Sequence, residues 1–293
     1  MRSPVGELAW GTGRGRDELR RAPRRTIAWF SLLAVVGAIL VVQRNHSVLG
    51  LAASVRPYGW GTAPLRDSLR DSVRVPILVY HSIAPHHPGQ SAEQRQLDVD
   101  TAAFKAQMKY LVEGRYNVIP LSTLVAAIER NEAVPERSVV ITFDDGWRTQ
   151  YEYALPLLRQ FHLTATFFII TRGVGPDPGY MTWEQIKELQ AAGMTVGAHS
   201  RTHPKLTDPG VSLSDEVVGS REDLQRNLGA APDLFAYPYG AWDERVADAV
   251  KAAGFRAARG LAGGEWNAAS NLYALHSVLV TDDMALFERA LGP

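Results

Sequence analysis

With 293 residues, 46% of them hydrophobic and 21% charged, the chain can bury a sizeable core, which excludes general disorder. Its formal net charge of zero supplies no global field for nucleic acid, and the lack of cysteine excludes a thiol nucleophile, thiolate zinc sites, iron–sulfur clusters and disulfides. No Gly-x-Ser-x-Gly elbow occurs, so hydrolytic chemistry would have to rest on other oxygen and nitrogen groups.

Residues 1–25 form a basic tail with seven Arg against three acids. Residues 26–43 follow, apolar from Ile27 to Val42 except for Ser31 and Gly37. Eighteen residues at about 1.5 Å each span roughly 27 Å, close to the thickness of a bilayer core. Six Arg lie within the twenty residues before this run and two, Arg44 and Arg56, follow it. That bias predicts a single-pass anchor with a cytoplasmic N-terminus and everything after residue 43 outside. A cleaved leader is the competing reading, but Ala52 and Ala53 lie well past the apolar run. Residues 44–74 mix Gly, Pro, Ser and Arg and read as a linker, ahead of a domain at 75–293.

From residue 75 strands and helices alternate. Strands are predicted at 75–80, 117–119, 138–143, 164–170, 195–198, 234–237, 255–258 and 275–280. Helices are predicted at 101–113, 121–130, 151–161, 183–192, 214–228 and 244–253. Thr182 and Gln185 form a capping box for the fourth helix, and Gly193 and Gly254 end two of them. Repeated β–α alternation implies parallel strands covered by helices, and this many units predicts an α/β barrel of the (β/α) type.

Four predicted strand ends carry groups capable of chemistry. Val139-Val140-Ile141 runs into Thr142-Phe143-Asp144-Asp145-Gly146, which alone reads as an Asp-Gly turn. On a parallel strand, however, the C-terminal end faces the active site. Two carboxylates there can divide the work, one binding a cation and the other taking a proton. Strand 195–198 ends in His199-Ser200-Arg201-Thr202-His203, whose spacing brings two imidazoles together on a helical turn or in a tight loop. Asp145, His199 and His203 would supply two nitrogens and one oxygen and leave a position open, as catalytic zinc sites do; Asp144 is then a natural general base. The segment Ala236-Tyr237-Pro238-Tyr239-Gly240 offers a turn whose backbone N–H can face an oxyanion, or an ordinary loop of buried aromatics. Strand 75–80 delivers His81 to the same end. His276 is a second candidate imidazole or a satisfied edge histidine. His86 and His87 read as solvated, and Trp147, Tyr180, Trp183, Trp242 and Trp266 as packing residues or sugar-stacking faces.

As a set, Thr-Phe-Asp-Asp-Gly, His-Ser-x-x-His and Pro-Tyr-Gly resemble the first three motifs of carbohydrate esterase family 4, the polysaccharide deacetylases, in the same order. The opening Val-Pro-Ile-Leu-Val-Tyr-His resembles the subgroup acting on poly-N-acetylglucosamine. The resemblance implies a distorted barrel and a divalent metal, zinc above others, held by Asp145, His199 and His203. Asp144 is then the base, the Tyr239 amide an oxyanion donor, and His81 the general acid in preference to His276. It further implies an extracytoplasmic polysaccharide substrate containing N-acetylglucosamine, with O-deacetylation or an inactive glycan-binding homologue as alternatives. One departure stands out. Ala236 occupies a position where many family members carry an Arg that orients the base, so Asp144 must be held by another group.

Overall fold

A computed structural model describes residues 72–292, apart from residues 88, 91–96, 176 and 262–263. The expected basic tail, anchor and most of the linker lie outside the described residues. Among the described residues no helix is long and apolar enough to cross a membrane.

The strands are β1 Ser72–Arg74, β2 Ile77–Tyr80, β3 Ser82–Ile83, β4 Asp98–Val99, β5 Asn117–Val118 and β6 Ser138–Phe143. They continue as β7 Thr166–Ile169, β8 Thr195–Ala198, β9 Leu234–Ala236, β10 Ala257–Arg259, β11 Trp266–Ala268 and β12 Val278–Leu279. The α-helices are α1 Thr101–Glu113, α2 Leu121–Arg130, α3 Leu155–Gln160, α4 Trp183–Ala191, α5 Gly219–Leu228, α6 Glu244–Ala252 and α7 Met284–Leu291. The predicted box between Thr182 and Gln185 caps α4. Two predicted helices begin differently: π-helical turns at Gln150–Ala154 and Ser214–Val218 lead into α3 and α5.

The main sheet runs β10-β9-β8-β7-β6-β2-β12, with β5 also paired to β6, and every one of these pairings is parallel. The chain between β11 and β12 closes the curl. Leu275 bridges Arg259 of β10, and three residues later Val278 and Leu279 pair with Leu78 and Val79 of β2. The result is a distorted (β/α) barrel, as the alternation predicts. The alternating strand residues separate two apolar layers. Leu78, Tyr80, Ile141, Phe143 and Phe167 pack outward, among residues of the helices. Ile77, Val140, Phe168, Leu234, Ala236, Ala257 and Leu275 form the opposite face, with Leu121, Leu124 and Val125 of α2 packed against it.

Three features were not expected from local pattern. β1 pairs antiparallel with β11 and is tied down by the ion pair of Arg74 with Glu265 at 2.7 Å. β3 and β4 form a small ladder just beyond His81. Helix α7 ends the domain, capped by Asp283, which accepts from the amides of Ala285 and Leu286.

Candidate active site

The C-terminal ends of β2, β6, β8, β9 and β10 converge on one mouth of the barrel. β6 delivers Asp144 and Asp145, and the chain turns there with φ of 74° at Asp145 and 82° at Gly146. That left-handed backbone is unfavourable for aspartate and reverses the strand so that both carboxylates stay at its end. Gln150, in the π-helical turn, is fully buried and donates its amide to the carbonyls of His81 (2.8 Å) and Asp144, locking the ends of β2 and β6 together.

β8 delivers His199, and the residues after it form a tight loop rather than a helical turn, with positive φ at Ser200 (61°) and His203 (62°). Ser200 Oγ accepts from the His203 amide at 3.0 Å. Buried Glu216 accepts from the amides of Arg201 and Thr202, at 2.9 Å each, and from the Thr202 hydroxyl. Asp223 of α5 receives Arg201 Nε at 2.8 Å and Thr171 Oγ1 at 3.0 Å. The His loop is thus fastened from outside by carboxylates that the motif reading did not reach. Their signal in the sequence is only a run of acids on an amphipathic helix, which reads equally well as a solvated face.

Asp145, His199 and His203 each present one ligand atom, all within 4.8 Å of one another. His199 Nε2 and His203 Nε2 are 3.2 Å apart, and each is 3.5 Å from Asp145 Oδ1. A cation about 2.0–2.1 Å from two nitrogens in tetrahedral geometry separates them by about 3.3 Å, so the set fits a metal ion. Asp145 Oδ1 is buried without a hydrogen-bond partner, as an oxygen reserved for a cation would be, while Oδ2 accepts from Trp147 Nε1 at 2.8 Å. His199 Nδ1 lies 2.7 Å from the Ala236 carbonyl, which can only accept, so Nδ1 carries the proton and Nε2 keeps its lone pair. Burial pulls both imidazoles down to about 4 against the raising influence of Asp144, which leaves them neutral near pH 7.

Asp144 lies beside this group. Its Oδ2 is 3.9 Å from His81 Nε2 and 4.0 Å from His199 Nε2. Its Oδ1 accepts from Arg259 Nη2, on β10, four strands away from β6 in the sheet. Burial by itself would raise this carboxyl, but Arg259, with His199 and His81, outweighs burial and holds it below the usual carboxylate range. His81 is buried beside Asp144, whereas the backbone amide of His276 donates to Asn267 Oδ1 and its ring lies against Gly264. Tyr239 sits in the turn Pro238–Gly240 with φ of 60°, its ring 4.6 Å from that of His203. Trp147 and Tyr180 stack at 4.5 Å next to the site. His86, read as solvated, is instead held 3.3 Å from Asp282 and 3.2 Å from the Asp98 carbonyl.

The comparisons with known proteins agree with this arrangement. The family model for polysaccharide deacetylase matches residues 131–258, which include both carboxylates, both imidazoles and the Pro-Tyr-Gly turn but not His81. The chain is 28% identical over 213 residues to the Bacillus subtilis (strain 168) protein YxkH, named for the polysaccharide deacetylases, covering 72% of this chain and 73% of that one. It is 26% identical over 207 residues to the poly-beta-1,6-N-acetyl-D-glucosamine N-deacetylase of Staphylococcus aureus (strain MRSA252), covering 66% and 71%. The fold is shared with the Streptococcus pyogenes deacetylase PplD, solved in complex with acetate, at a TM-score of 0.69 and 24% identity over 75% of this chain and 99% of that chain. Over residues 131–258 the chain thus carries a polysaccharide deacetylase domain, a domain of the hydrolase class.

Proposed function

We propose that this protein removes acetyl groups from an N-acetylglucosamine-containing polysaccharide, releasing acetate and leaving the glycosidic bonds intact. The observation that carries the reading is the convergence of Asp145 Oδ1, His199 Nε2 and His203 Nε2 at one point, with the second carboxylate, Asp144, alongside. Asp145, His199 and His203 would hold a divalent cation, and two imidazoles with one carboxylate suit zinc. When bound, that ion supplies Lewis acidity toward the acetamide carbonyl and makes water more acidic.

The protein's own groups carry the proton traffic. Asp144, ionised and with Oδ2 facing the imidazoles, takes a proton from the attacking water, whose oxygen forms the new bond to the carbonyl carbon. The Tyr239 amide donates to the oxygen on which negative charge develops. His81, as imidazolium, gives its proton to the nitrogen as the C–N bond breaks, so that acetate and a free amine leave. The S. aureus relative's named substrate supports an N-acetylated glucosamine polymer. The apolar run at residues 26–43, with its arginines on one side, supports a membrane anchor with the catalytic domain outside the cytoplasm.

The test is acetate release from acetylated glucosamine oligomers. The expected result is turnover that a chelator removes, added zinc restores, and Asp144→Asn abolishes. Unchanged turnover in Asp144→Asn would show that another group is the base.

A further inference from the structure

We propose that Arg259 is the positioning residue for the Asp144 carboxylate, reaching it from β10 across the space that Ala236 leaves empty. The inference rests on the reading of Asp144 as the base. Ala236 and Arg259 are register partners on β9 and β10, so their side chains stand side by side on the same sheet face, about 4.8 Å apart. That face is the apolar inner one, because Ala236 packs there with Ala257, two residues before Arg259 on the same strand.

An arginine on an apolar face has to find a counter-charge. Arg259 is fully buried, and it finds its counter-charge in Asp144, 115 residues away in sequence. One guanidinium nitrogen, Nη2, donates to Asp144 Oδ1. The other, Nη1, donates to the Gly260 carbonyl at 3.1 Å and lies 3.5 Å from Ser277 Oγ. The group also lies over the Phe168 ring, 5.3 Å from its centroid. The planar fork is therefore held from three sides, which a lysine ammonium cannot reproduce. Its effect on Asp144 is directional: Oδ1 is tied to the guanidinium, and Oδ2 is turned toward His81 and His199. Ala236 contributes in two ways. Its methyl leaves room beside the guanidinium, and its carbonyl holds His199 Nδ1. Position 236 and position 259 thus form a coupled pair in which one side must be small and the other must be arginine.

The experiment compares full-length wild type, Arg259→Met, the exchange Ala236→Arg with Arg259→Met, and Asp144→Asn. Each is measured for kcat and KM on an acetylated glucosamine oligomer with saturating zinc, and for melting temperature. Arg259→Met should lose roughly 10–100-fold in kcat with KM within about threefold of wild type, and the exchange should recover about tenfold or more. Should Arg259→Met fail to fold, Arg259→Lys replaces it and is read the same way. The proposal is overturned if the folded single variant keeps kcat within about threefold of wild type. It is equally overturned if the exchange variant melts like wild type and is no more active than the single variant. Either result together with an inactive Asp144→Asn leaves the base assignment standing. A fully active Asp144→Asn removes the base assignment, and the proposal with it.

Discussion

At the scale of single residues, the site separates the two oxygens of each carboxylate. Trp147 occupies Asp145 Oδ2 and leaves Oδ1 bare, so the indole sets which oxygen meets a cation. Trp147→Phe keeps the stacking face toward Tyr180 but removes the N–H. Zinc affinity should fall roughly tenfold by calorimetric titration, as loss of a partner behind a metal ligand commonly does. The imidazoles set the acid limit. His199 and His203 titrate at about 4 in the folded protein, below the usual 6.5, so the unfolded chain binds more protons between those values. Stability therefore falls as pH drops from about 6.5 toward 4, and Asp144, held low, adds a loss at still lower pH. The metal-free protein should melt at a clearly lower temperature at pH 5 than at pH 7.5 in a chelator-containing thermal scan. A flat profile would contradict the buried, neutral assignment.

At the scale of elements, periodicity predicted most helices and strands because each is amphipathic or uniformly apolar over its own length. Residues 101–113, 121–130, 138–143 and 195–198 form the predicted elements over those same spans. The π-helical turns at 150–154 and 214–218 escaped this reading, because an extra residue in a turn leaves no local compositional mark. Both matter, since Gln150 ties β2 to β6 and Glu216 holds the His loop. Glu216→Ala would leave two amides of that loop without their buried acceptor. A destabilisation of about 2–3 kcal/mol is expected in urea unfolding, with weakened zinc binding. Retention of both properties would mean that Ser200 and the left-handed residues hold the loop by themselves.

At the scale of the whole molecule, the barrel closes through two short contacts made by the chain at 275–279, and the site lies at the mouth that this closure completes. The domain is also tied at its beginning, where β1 pairs with β11 and Arg74 grips Glu265. Upstream, the anchor proposed from residues 26–43 predicts that the full chain sediments with membranes and resists extraction by high salt. A chain beginning at residue 44 should appear in the soluble fraction with its acetate-releasing activity intact. Release of the full chain by salt alone would exclude a spanning helix.

The sequence by itself determined the order of the main-sheet strands and of the helices between them, and it named six residues, Asp144, Asp145, His199, His203, Tyr239 and His81, whose types suit one chemistry. It could do so because hydrophobic period and strand-end position are local properties, and because the motifs sit next to the strands that deliver them. Only the tertiary structure decided what holds these residues. Arg259, Glu216, Asp223 and Gln150 reach the site from another strand or a packed helical segment, and strand register and helix docking are set by contacts between segments far apart in the chain. Ala236 marked the need for a partner to Asp144, but which side chain answered that need depended on β10 lying beside β9.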